Sequence, residues 1–393
     1  KSLGMEQGGK CMYGVIDIGS NTVRLSCYKV VKKELIYVFH KKNMAGLASY
    51  VEKSGKLSDK GIKASIDILN DFKKIVSCVG LDQLFVIATA SFRNVSNTKE
   101  IVDQIYKNTG LMVDVLTGEE ELDQLIGLDS VKRMVKKIKA YAKRNKGEEG
   151  FNLHMCFYGN PGTGKTEVAR ILSRILYDAG VLAEAKLVET DGHGLLGKFV
   201  GETAPKTEAK IDSAMGGVLF IDEAYALVGS HTATGGATNY GEEAIAVLLK
   251  EMEDRRGQFC TILAGYKDEM RSMLSANPGF QSRIQFTLDF PDYSRDELGQ
   301  IAVVFLNKKK YTIAQAALEL LLDVAEYYRT QKNFANARTI RNILDQVIMN
   351  QNLRTEDTEG DSTIIRSDVE DYIADENIDL QKKTTQAGRI GFI

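Results

Sequence analysis

The apolar residues of the chain fall into short runs and helical stripes. Residues 153–158 form an apolar run that predicts a buried strand. After it, apolar residues recur every three or four positions from Lys165 onward, which predicts a helix. Further short apolar runs predict strands over residues 186–190, 217–223, 261–266 and 286–290. This mixture of strands and helices predicts an α/β fold.

The pattern changes after residue 290. Ser294 and Glu297 form a capping box, and helical stretches are predicted to start at Ser294, Ile313 and Ala335. Glycine and proline are nearly absent there, so a small α-helical domain is predicted. Residues 366–374 are predicted to be helical, and residues 376–393 are predicted to form a flexible tail.

The N-terminal third has its own predicted series of strands and helices. Strands are predicted over residues 15–22, 23–31, 35–39, 84–88 and 112–116. Ser58 is predicted to cap one helix, and Asn97 with Glu100 is predicted to form a capping box for another. Residues 1–11 are polar and are predicted to be a disordered leader.

Composition narrows the functional classes. The 393 residues carry a net charge of −2, which gives no bulk attraction to nucleic acid or to an anionic membrane. No run of 18 apolar residues occurs, so no transmembrane helix is expected. The five cysteines have no C-x-x-C spacing, and the four histidines are far apart. We expect a cytoplasmic protein that binds neither nucleic acid nor membrane.

The stretch between the first strand and helix of the α/β region fits the phosphate-loop pattern G-x-x-x-x-G-K-[ST]. Its glycines allow backbone N–H groups to converge on a phosphate, and the following helix directs its N-terminus to the same point. The alternative is a glycine-rich turn in a core. The predicted ATP-binding residues are Gly159, Asn160, Pro161, Gly162, Thr163, Gly164, Lys165, Thr166 and Glu167.

A second apolar run ends in Asp222 and Glu223, which fits the Walker B pattern. Asp222 and the Thr166 hydroxyl are predicted to hold Mg²⁺, whereas Glu223 is predicted to orient or deprotonate the attacking water. Lys165 and Glu223 are therefore predicted to be catalytic. An acidic turn at the end of a strand is the alternative.

An aromatic residue lies between two glycines in the segment 195–203. Gly197 and Gly201 bracket Phe199 and Val200, which we interpret as a pore loop that grips a polypeptide in the centre of a ring. The alternative is that Phe199 packs on a neighbouring helix.

Residues 122–375 resemble the AAA+ ATPases of the CbbX/CfxQ and stage V sporulation protein K group. The resemblance is carried by residues 159–166, 216–225, 263–266, 277–280 and 336–338. It implies a P-loop parallel-sheet domain over residues 122–290, an α-helical lid over residues 291–375, a hexameric ring, and use of ATP and Mg²⁺.

The same resemblance assigns further residues. Arg283 would be the arginine finger and Arg338 the sensor-2 arginine, both catalytic, while Ile126 and Gly127 would flank the adenine. Tyr266 occupies the place where many AAA+ proteins carry a polar sensor-1 Asn.

Residues 12–121 resemble the first half of the Ppx/GppA phosphatases, through residues 17–22, 88–93 and 118–121. This implies half of an actin-like, ribonuclease H-like α/β lobe. The second phosphate-binding lobe does not follow, because the ATPase module begins directly after Glu121. The residues of a possible vestigial phosphate site are Asp17, Gly19, Ser20, Asn21, Arg93 and Glu120.

The combined reading is an ATP-hydrolysing motor that remodels an unknown client protein. Red-type rubisco activases share this module, but the sequence specifies no client. The N-terminal lobe is expected to have a non-catalytic docking or sensing role. The alternatives are that it binds or hydrolyses polyphosphate or guanosine pentaphosphate, or that it is a chimeric fragment without function of its own.

Overall fold

A computed structural model describes residues 11–19, 21–31, 34–52, 55–88, 92, 95–148, 151–228, 240–331, 334–356 and 361–380. The chain divides into two compact units at the boundary between Glu121 and Leu122. Among the described residues, no helix is long and apolar enough to cross a membrane.

The N-terminal unit contains a five-stranded mixed sheet in the order β3-β2-β1-β4-β5. Strand β1 is antiparallel to β2 and parallel to β4. Helices α1 and α2 accompany the sheet, and α3 crosses the boundary at Glu121. The elements are β1 (Cys11–Ile18), β2 (Thr22–Val31), β3 (Glu34–Met44), α1 (Asp59–Val79), β4 (Gln83–Ala88), α2 (Thr98–Thr109), β5 (Asp114–Val115) and α3 (Gly118–Asp123).

Alternating burial explains this sheet. In β1, Ile16 and Ile18 are buried whereas Asp17 between them is exposed, as expected for a strand with one face on a core. Helix α1 supplies Phe72 to the same core. The predicted Ser58 cap is confirmed, because its hydroxyl accepts a hydrogen bond from the Gly61 N–H.

Three predictions for this unit differ from the structure. Asn97 makes no capping hydrogen bond to α2, because its amide pairs with both backbone groups of Leu57, 40 residues away. Because the Asn97 side-chain amide is used in this tertiary contact, it does not cap α2. The predicted leader includes Cys11, which is the first residue of β1, and residues 1–10 lie outside the described residues. The strand predicted over residues 112–116 is reduced to the two residues of β5.

The second unit begins with a parallel five-stranded sheet in the order β10-β6-β9-β8-β7. Strand β6, the second in that order, carries the phosphate loop at its carboxyl end. The elements are α4 (Asp129–Asn145), β6 (Met155–Gly159), α5 (Lys165–Asp178), β7 (Leu187–Asp191), α6 (Thr203–Ala214), β8 (Val218–Asp222), α7 (Tyr240–Asp254), β9 (Cys260–Gly265), α8 (Lys267–Ala276), α9 (Pro278–Arg283) and β10 (Phe286–Phe290). This is the P-loop AAA+ parallel-sheet fold.

A helical lid follows the sheet. Its elements are α10 (Arg295–Lys309), β11 (Thr312–Ile313), α11 (Gln315–Arg329), α12 (Ala337–Arg354), β12 (Thr363–Ile364) and α13 (Arg366–Asp375). The capping box of Ser294 and Glu297 is confirmed, with both reciprocal hydrogen bonds present. The short parallel pair of β11 and β12 was not predicted.

Other boundaries differ from the prediction. The sequence predicts that Ser130 or Asp129 caps α4, but Leu128 is the N-cap residue, in a left-handed conformation, and Asp129 is already helical. The sequence of residues 277–284 predicts a turn that presents Arg283, but residues 278–283 form the short helix α9, started by Asn277 and Pro278. The first residues of the predicted flexible tail belong to the folded unit, because Ile378 and Leu380 pack against its hydrophobic core. Residues 229–241 are rich in Gly, Thr, Ala and Ser, which predicts a mobile loop. Residues 229–239 of this segment lie outside the described residues.

Candidate functional site

The phosphate loop leaves the sheet at Gly159, which is paired with Phe290 of β10, and ends where α5 begins at Lys165. Gly162 and Gly164 have φ values of 71° and 93°, a region that favours glycine. A Cβ on Gly162 would lie 2.1 Å from the carbonyl oxygen of Ala335 in the lid. Glycine is therefore required there both by the backbone and by the close approach of the lid.

The ammonium group of Lys165 lies inside the loop. It donates to the carbonyl oxygens of Gly159 and Asn160 at 2.7 and 2.9 Å. Burial lowers the pKa of Lys165, and the nearby carboxylate of Asp222 opposes that shift, whereas Arg338 adds to it. The loop thus holds a positive charge at its centre, next to an acidic group and a lid arginine.

The Walker B strand ends beside the loop. Asp222 is the last residue of β8, and its carboxylate accepts a hydrogen bond of 3.0 Å from the backbone N–H of Glu223. Glu223 itself has φ 48° and ψ 39°, a left-handed conformation that is uncommon for a residue with a side chain. Such backbone conformations cluster at functional sites.

A cleft of about 570 Å³ brings these elements together. Predicted site residues with charged side chains line this cleft together, namely Lys165, Glu167, Asp222, Glu223 and Arg338. Its lining is Gly159, Pro161, Gly162, Gly164, Lys165, Thr166, Glu167, Arg170, Asp222, Glu223, Tyr225, Gly265, Tyr266, Ala337, Arg338 and Arg341. The lining contains both basic and acidic side chains, as a triphosphate with a divalent cation requires.

Other predicted nucleotide residues do not line this cleft. A Cβ on Gly127 would collide with the Glu297 side chain of the lid, so this glycine permits a close approach to α10. Ile126, beside it, is half-buried. Thr163 is fully buried and its hydroxyl donates to the carbonyl oxygen of Asn160. The Asn160 amide donates to Asp292 at 2.9 and 3.1 Å rather than facing the cleft.

The predicted site residues did not include Gly265 and Ala337 of the cleft lining, nor the polar side chains of Arg170, Tyr225 and Arg341. Arg341 follows Arg338 by three positions, and that spacing places both on one face of a helix, which is the signal that could have found it. Arg170 is paired with Glu167 and Glu189, each at 2.7 Å. Tyr225 has a pKa raised to about 12 by burial and lies 5.9 Å from Tyr266 between ring centres.

The oxygen groups in the cleft fit a magnesium ion. Thr166 offers a hydroxyl and Asp222 a carboxylate, and both are hard oxygen ligands of the kind Mg²⁺ prefers. Glu223 lies in the same lining and is the further carboxylate available to a water molecule. The donor set is therefore compatible with the predicted metal.

Arg283 lies away from this cleft. It is the last residue of α9, and its guanidinium is 3.1 Å from the Glu253 carboxylate of α7. A second nitrogen donates to the carbonyl oxygen of Gly279 at 3.0 Å. Arg283 is therefore not among the residues that line the cleft of its own chain.

Phe199 and Val200 protrude from the segment between β7 and α6. They are 70% and 73% exposed, so the alternative in which Phe199 packs on a neighbouring helix is wrong. The carboxylate of Glu202 accepts hydrogen bonds from the N–H groups of Lys198 and Phe199, at 3.0 and 3.1 Å. This carboxylate fixes the loop backbone and leaves the two apolar side chains outside.

The predicted phosphate residues of the N-terminal unit are only partly described. Ser20 and Arg93 lie outside the described residues. Asp17 is exposed near the end of β1. The Gly19 N–H donates to the Thr22 carbonyl oxygen, and the Asn21 carbonyl oxygen accepts from the distant Gly46 N–H. One carboxylate oxygen of Glu120 accepts from both the N–H and the hydroxyl of Thr117, at 2.8 and 3.0 Å. The Thr117 hydroxyl accepts in turn from the Glu120 N–H at 3.2 Å, so the two residues form a capping box at the start of α3.

Three family models match the chain. The model for the ATPase family associated with various cellular activities (AAA) matches residues 155–291, and that for the AAA lid domain matches residues 294–384. The model for the Ppx/GppA phosphatase family matches residues 26–137. That match begins after the predicted phosphate turn at residues 17–22 and gives a Ppx/GppA domain at the N-terminus.

Curated relatives align with about three-fifths of the chain. Stage V sporulation protein K of Bacillus subtilis is 41% identical over 60% of this chain and 75% of its own length. Protein CfxQ of Xanthobacter flavus is 43% identical over 61% of this chain and 77% of its own length. The chloroplastic ribulose bisphosphate carboxylase/oxygenase activase of Cyanidioschyzon merolae is 40% identical over 61% of this chain and 84% of its own length. The chain belongs to the AAA ATPases of the CbbX/CfxQ and stage V sporulation protein K group.

Proposed function

We propose that this ATPase is a motor that assembles into a hexameric ring and remodels a client protein drawn into the central pore. The observation that carries the proposal is the exposure of Phe199 and Val200 on a loop whose backbone is held by Glu202. Two adjacent apolar side chains on a fixed loop provide contact area for polypeptides of varied sequence.

ATP hydrolysis is assigned to the cleft. Lys165 supplies positive charge to the β- and γ-phosphates, and Thr166 and Asp222 would hold Mg²⁺, which neutralises phosphate charge when bound. Glu223 accepts a proton from the attacking water or orients it. The Glu223 N–H donates to the Asp222 carboxylate, and both residues line the cleft.

The ring is supported by the separation of Arg283 from the cleft of its own subunit. An arginine finger in trans would stabilise charge on the γ-phosphate bound by the neighbour. Each ATP site would then be completed only when two subunits meet. AAA ATPases typically form hexamers, and that stoichiometry is proposed here.

The N-terminal domain is proposed to dock or sense a ligand rather than to catalyse. Glu120, from the possible vestigial phosphate site, uses a carboxylate oxygen to accept from the N–H and hydroxyl of Thr117 at the start of its own helix. The alternative activity is hydrolysis of polyphosphate or guanosine pentaphosphate. A chimeric fragment without its own function is the further alternative.

Phosphate release separates these possibilities. The full chain would be incubated with ATP or with polyphosphate, beside the Lys165→Ala and Glu120→Gln variants. We expect release from ATP only, lost in Lys165→Ala and kept in Glu120→Gln. Release from polyphosphate that survives Lys165→Ala and disappears in Glu120→Gln would overturn the docking role.

The client would be identified by trapping. Glu223→Gln should retain ATP and hold a client in the pore, so proteins that co-purify with this variant in ATP are candidates. A matched Glu223→Gln, Phe199→Ala chain is the control, because it should lose the same proteins. Equal recovery by both chains would contradict the pore assignment.

A further inference from the structure

Asn336 has a backbone conformation that few residues adopt. Its φ of 48° and ψ of −124° are those of the first central residue of a type II′ turn. The Arg338 N–H donates to the Ala335 carbonyl oxygen at 2.9 Å, which closes that turn. Glycine or asparagine suits such a position, so the backbone alone would accept a glycine in place of Asn336.

The side chain of Asn336 adds a second requirement. The residue is fully buried, and its amide oxygen accepts from the Tyr293 N–H at 3.0 Å. Its amide nitrogen donates to Asp292 at 2.8 Å and to the Pro161 carbonyl oxygen at 3.3 Å. One side chain therefore joins the lid, the connection between sheet and lid, and the phosphate loop.

Asp292 extends this network to a second residue of the loop. One carboxylate oxygen of Asp292 accepts a hydrogen bond from the Asn336 amide nitrogen. The Asn160 amide nitrogen donates to both oxygens of the same carboxylate. We call Asn160, Asp292 and Asn336 the hinge latch. Asp292 is exposed, whereas Asn336 is buried, so the latch has one partner that can be changed with little risk to the core.

The latch meets a need created by phosphate binding. A phosphate loop turns its N–H groups toward the anion, so its carbonyl oxygens point away and must find other donors. The carbonyls of Pro161, Gly162 and Thr163 accept from the Asn336 amide, the Ala337 N–H and the Tyr293 hydroxyl, each at 3.3 Å. The lid and its connection thus satisfy the outer side of the loop.

We propose that Asn336 is a positioning residue for ATP hydrolysis, which fixes the start of α12 on the phosphate loop so that Arg338 and Arg341 face the bound nucleotide. Arg338 follows Asn336 by two residues and lines the cleft with Lys165. The inference rests on the proposed role of Arg338. In this proposal the Asn336 side chain affects hydrolysis only through the position of Arg338 and does not contact the nucleotide.

The test is a double-mutant cycle on the full chain. Asn336→Gly keeps the turn and removes the amide, and Arg338→Ala removes the guanidinium. We expect each to lower kcat/KM for ATP about ten-fold, and we expect the double variant to be no worse than Arg338→Ala alone. Independent effects would instead multiply.

The control is Gln351→Ala on the same helix. Gln351 is a buried amide that donates to the Asp361 carbonyl oxygen at 2.6 Å, so its loss should lower the melting temperature. Its ATP kinetics should stay at the level of the parent chain. Asp292→Ala removes the exposed partner of Asn336 in the latch, so it should lower kcat/KM for ATP as much as Asn336→Gly does.

Three results would overturn the proposal. They are multiplicative losses in the double variant, unchanged kinetics in Asn336→Gly, and unchanged kinetics in Arg338→Ala. Failure of the ATP site itself is distinguished by Lys165→Ala, because retained hydrolysis in that variant would contradict the proposed function and not the latch alone.

Discussion

The guanidinium of Arg283 lies 3.1 Å from the carboxylate of Glu253 within one chain. The other Glu253 oxygen pairs with Arg256 at 2.6 Å, so one carboxylate restrains two arginines. Arg283 is about one-quarter exposed and is held on α9 by the Gly279 carbonyl as well. The proposed finger therefore has a fixed starting position on the surface of its own subunit.

Arg283→Ala is expected to leave ATP binding nearly intact and to slow turnover by roughly 10³ to 10⁵, the range for an arginine finger. Nucleotide affinity and single-site hydrolysis rates would be measured separately. Mixed assemblies give the decisive measurement. Adding Lys165→Ala chains, which retain Arg283, should restore hydrolysis to Arg283→Ala chains, and no rescue would argue for a role within one subunit.

Lys165→Ala and Glu223→Gln should separate binding from chemistry. Loss of the ammonium removes positive charge from the phosphate loop, so Lys165→Ala should bind ATP poorly. Glu223→Gln keeps the volume and loses the base, so it should bind ATP normally and fail to release phosphate. Fluorescent nucleotide titration with a phosphate assay measures both steps, and equal loss of binding in the two variants would contradict the assignment.

Phe199→Ala should uncouple ATP hydrolysis from work on the client. The side chain is 70% exposed, so its removal should leave basal hydrolysis and the melting temperature close to those of the parent chain. Client-stimulated hydrolysis should be lost. Phe157→Ala is the matched control, because a fully buried phenylalanine costs about 3 to 5 kcal/mol when truncated. A large loss of stability in Phe199→Ala would refute the pore-loop role.

His154 should make the second unit sensitive to acid. Burial lowers its pKa from the usual 6.5 to about 4, and its Nδ1 accepts from the Thr261 N–H at 3.1 Å. The unfolded chain takes up the proton first, so stability should fall as the pH drops from 6.5 to 4, by about 3 kcal/mol in total.

Urea unfolding at several pH values measures this loss. His154→Gln should flatten the dependence in that window, whereas His193→Gln, at an exposed histidine, should keep the slope of the parent chain. An unchanged slope in His154→Gln would assign the acid sensitivity to other groups.

The parts predicted well are those encoded within one continuous segment. The strand, glycine loop and helix around Lys165 follow from local spacing, as does the capping box of Ser294 and Glu297. The AAA+ sheet and lid and the Ppx/GppA domain followed from motifs of the same local kind. The roles of the individual site residues stay predictions.

The parts that were missed depend on partners far apart in sequence. Asn97 resembles a helix cap locally but bonds to Leu57, 40 residues earlier. Asn336 and Asp292 are 44 residues apart, and no local sequence pattern predicts their contact. Asn160 lies inside the phosphate loop motif, yet its amide serves the connection to the lid. Such pairings are decided by packing after the elements have formed.

The connection between sheet and lid limits how the lid can move. Strand β10 ends at Phe290 beside Gly159, and α10 begins at Arg295, so four residues join the two parts. Fully extended, they span roughly 14 Å. A tether this short permits rotation about a pivot at the root of the phosphate loop and forbids long translation. In the proposed ring, nucleotide turnover would therefore reach neighbouring subunits as a rotation of the lid, which would act as a lever arm.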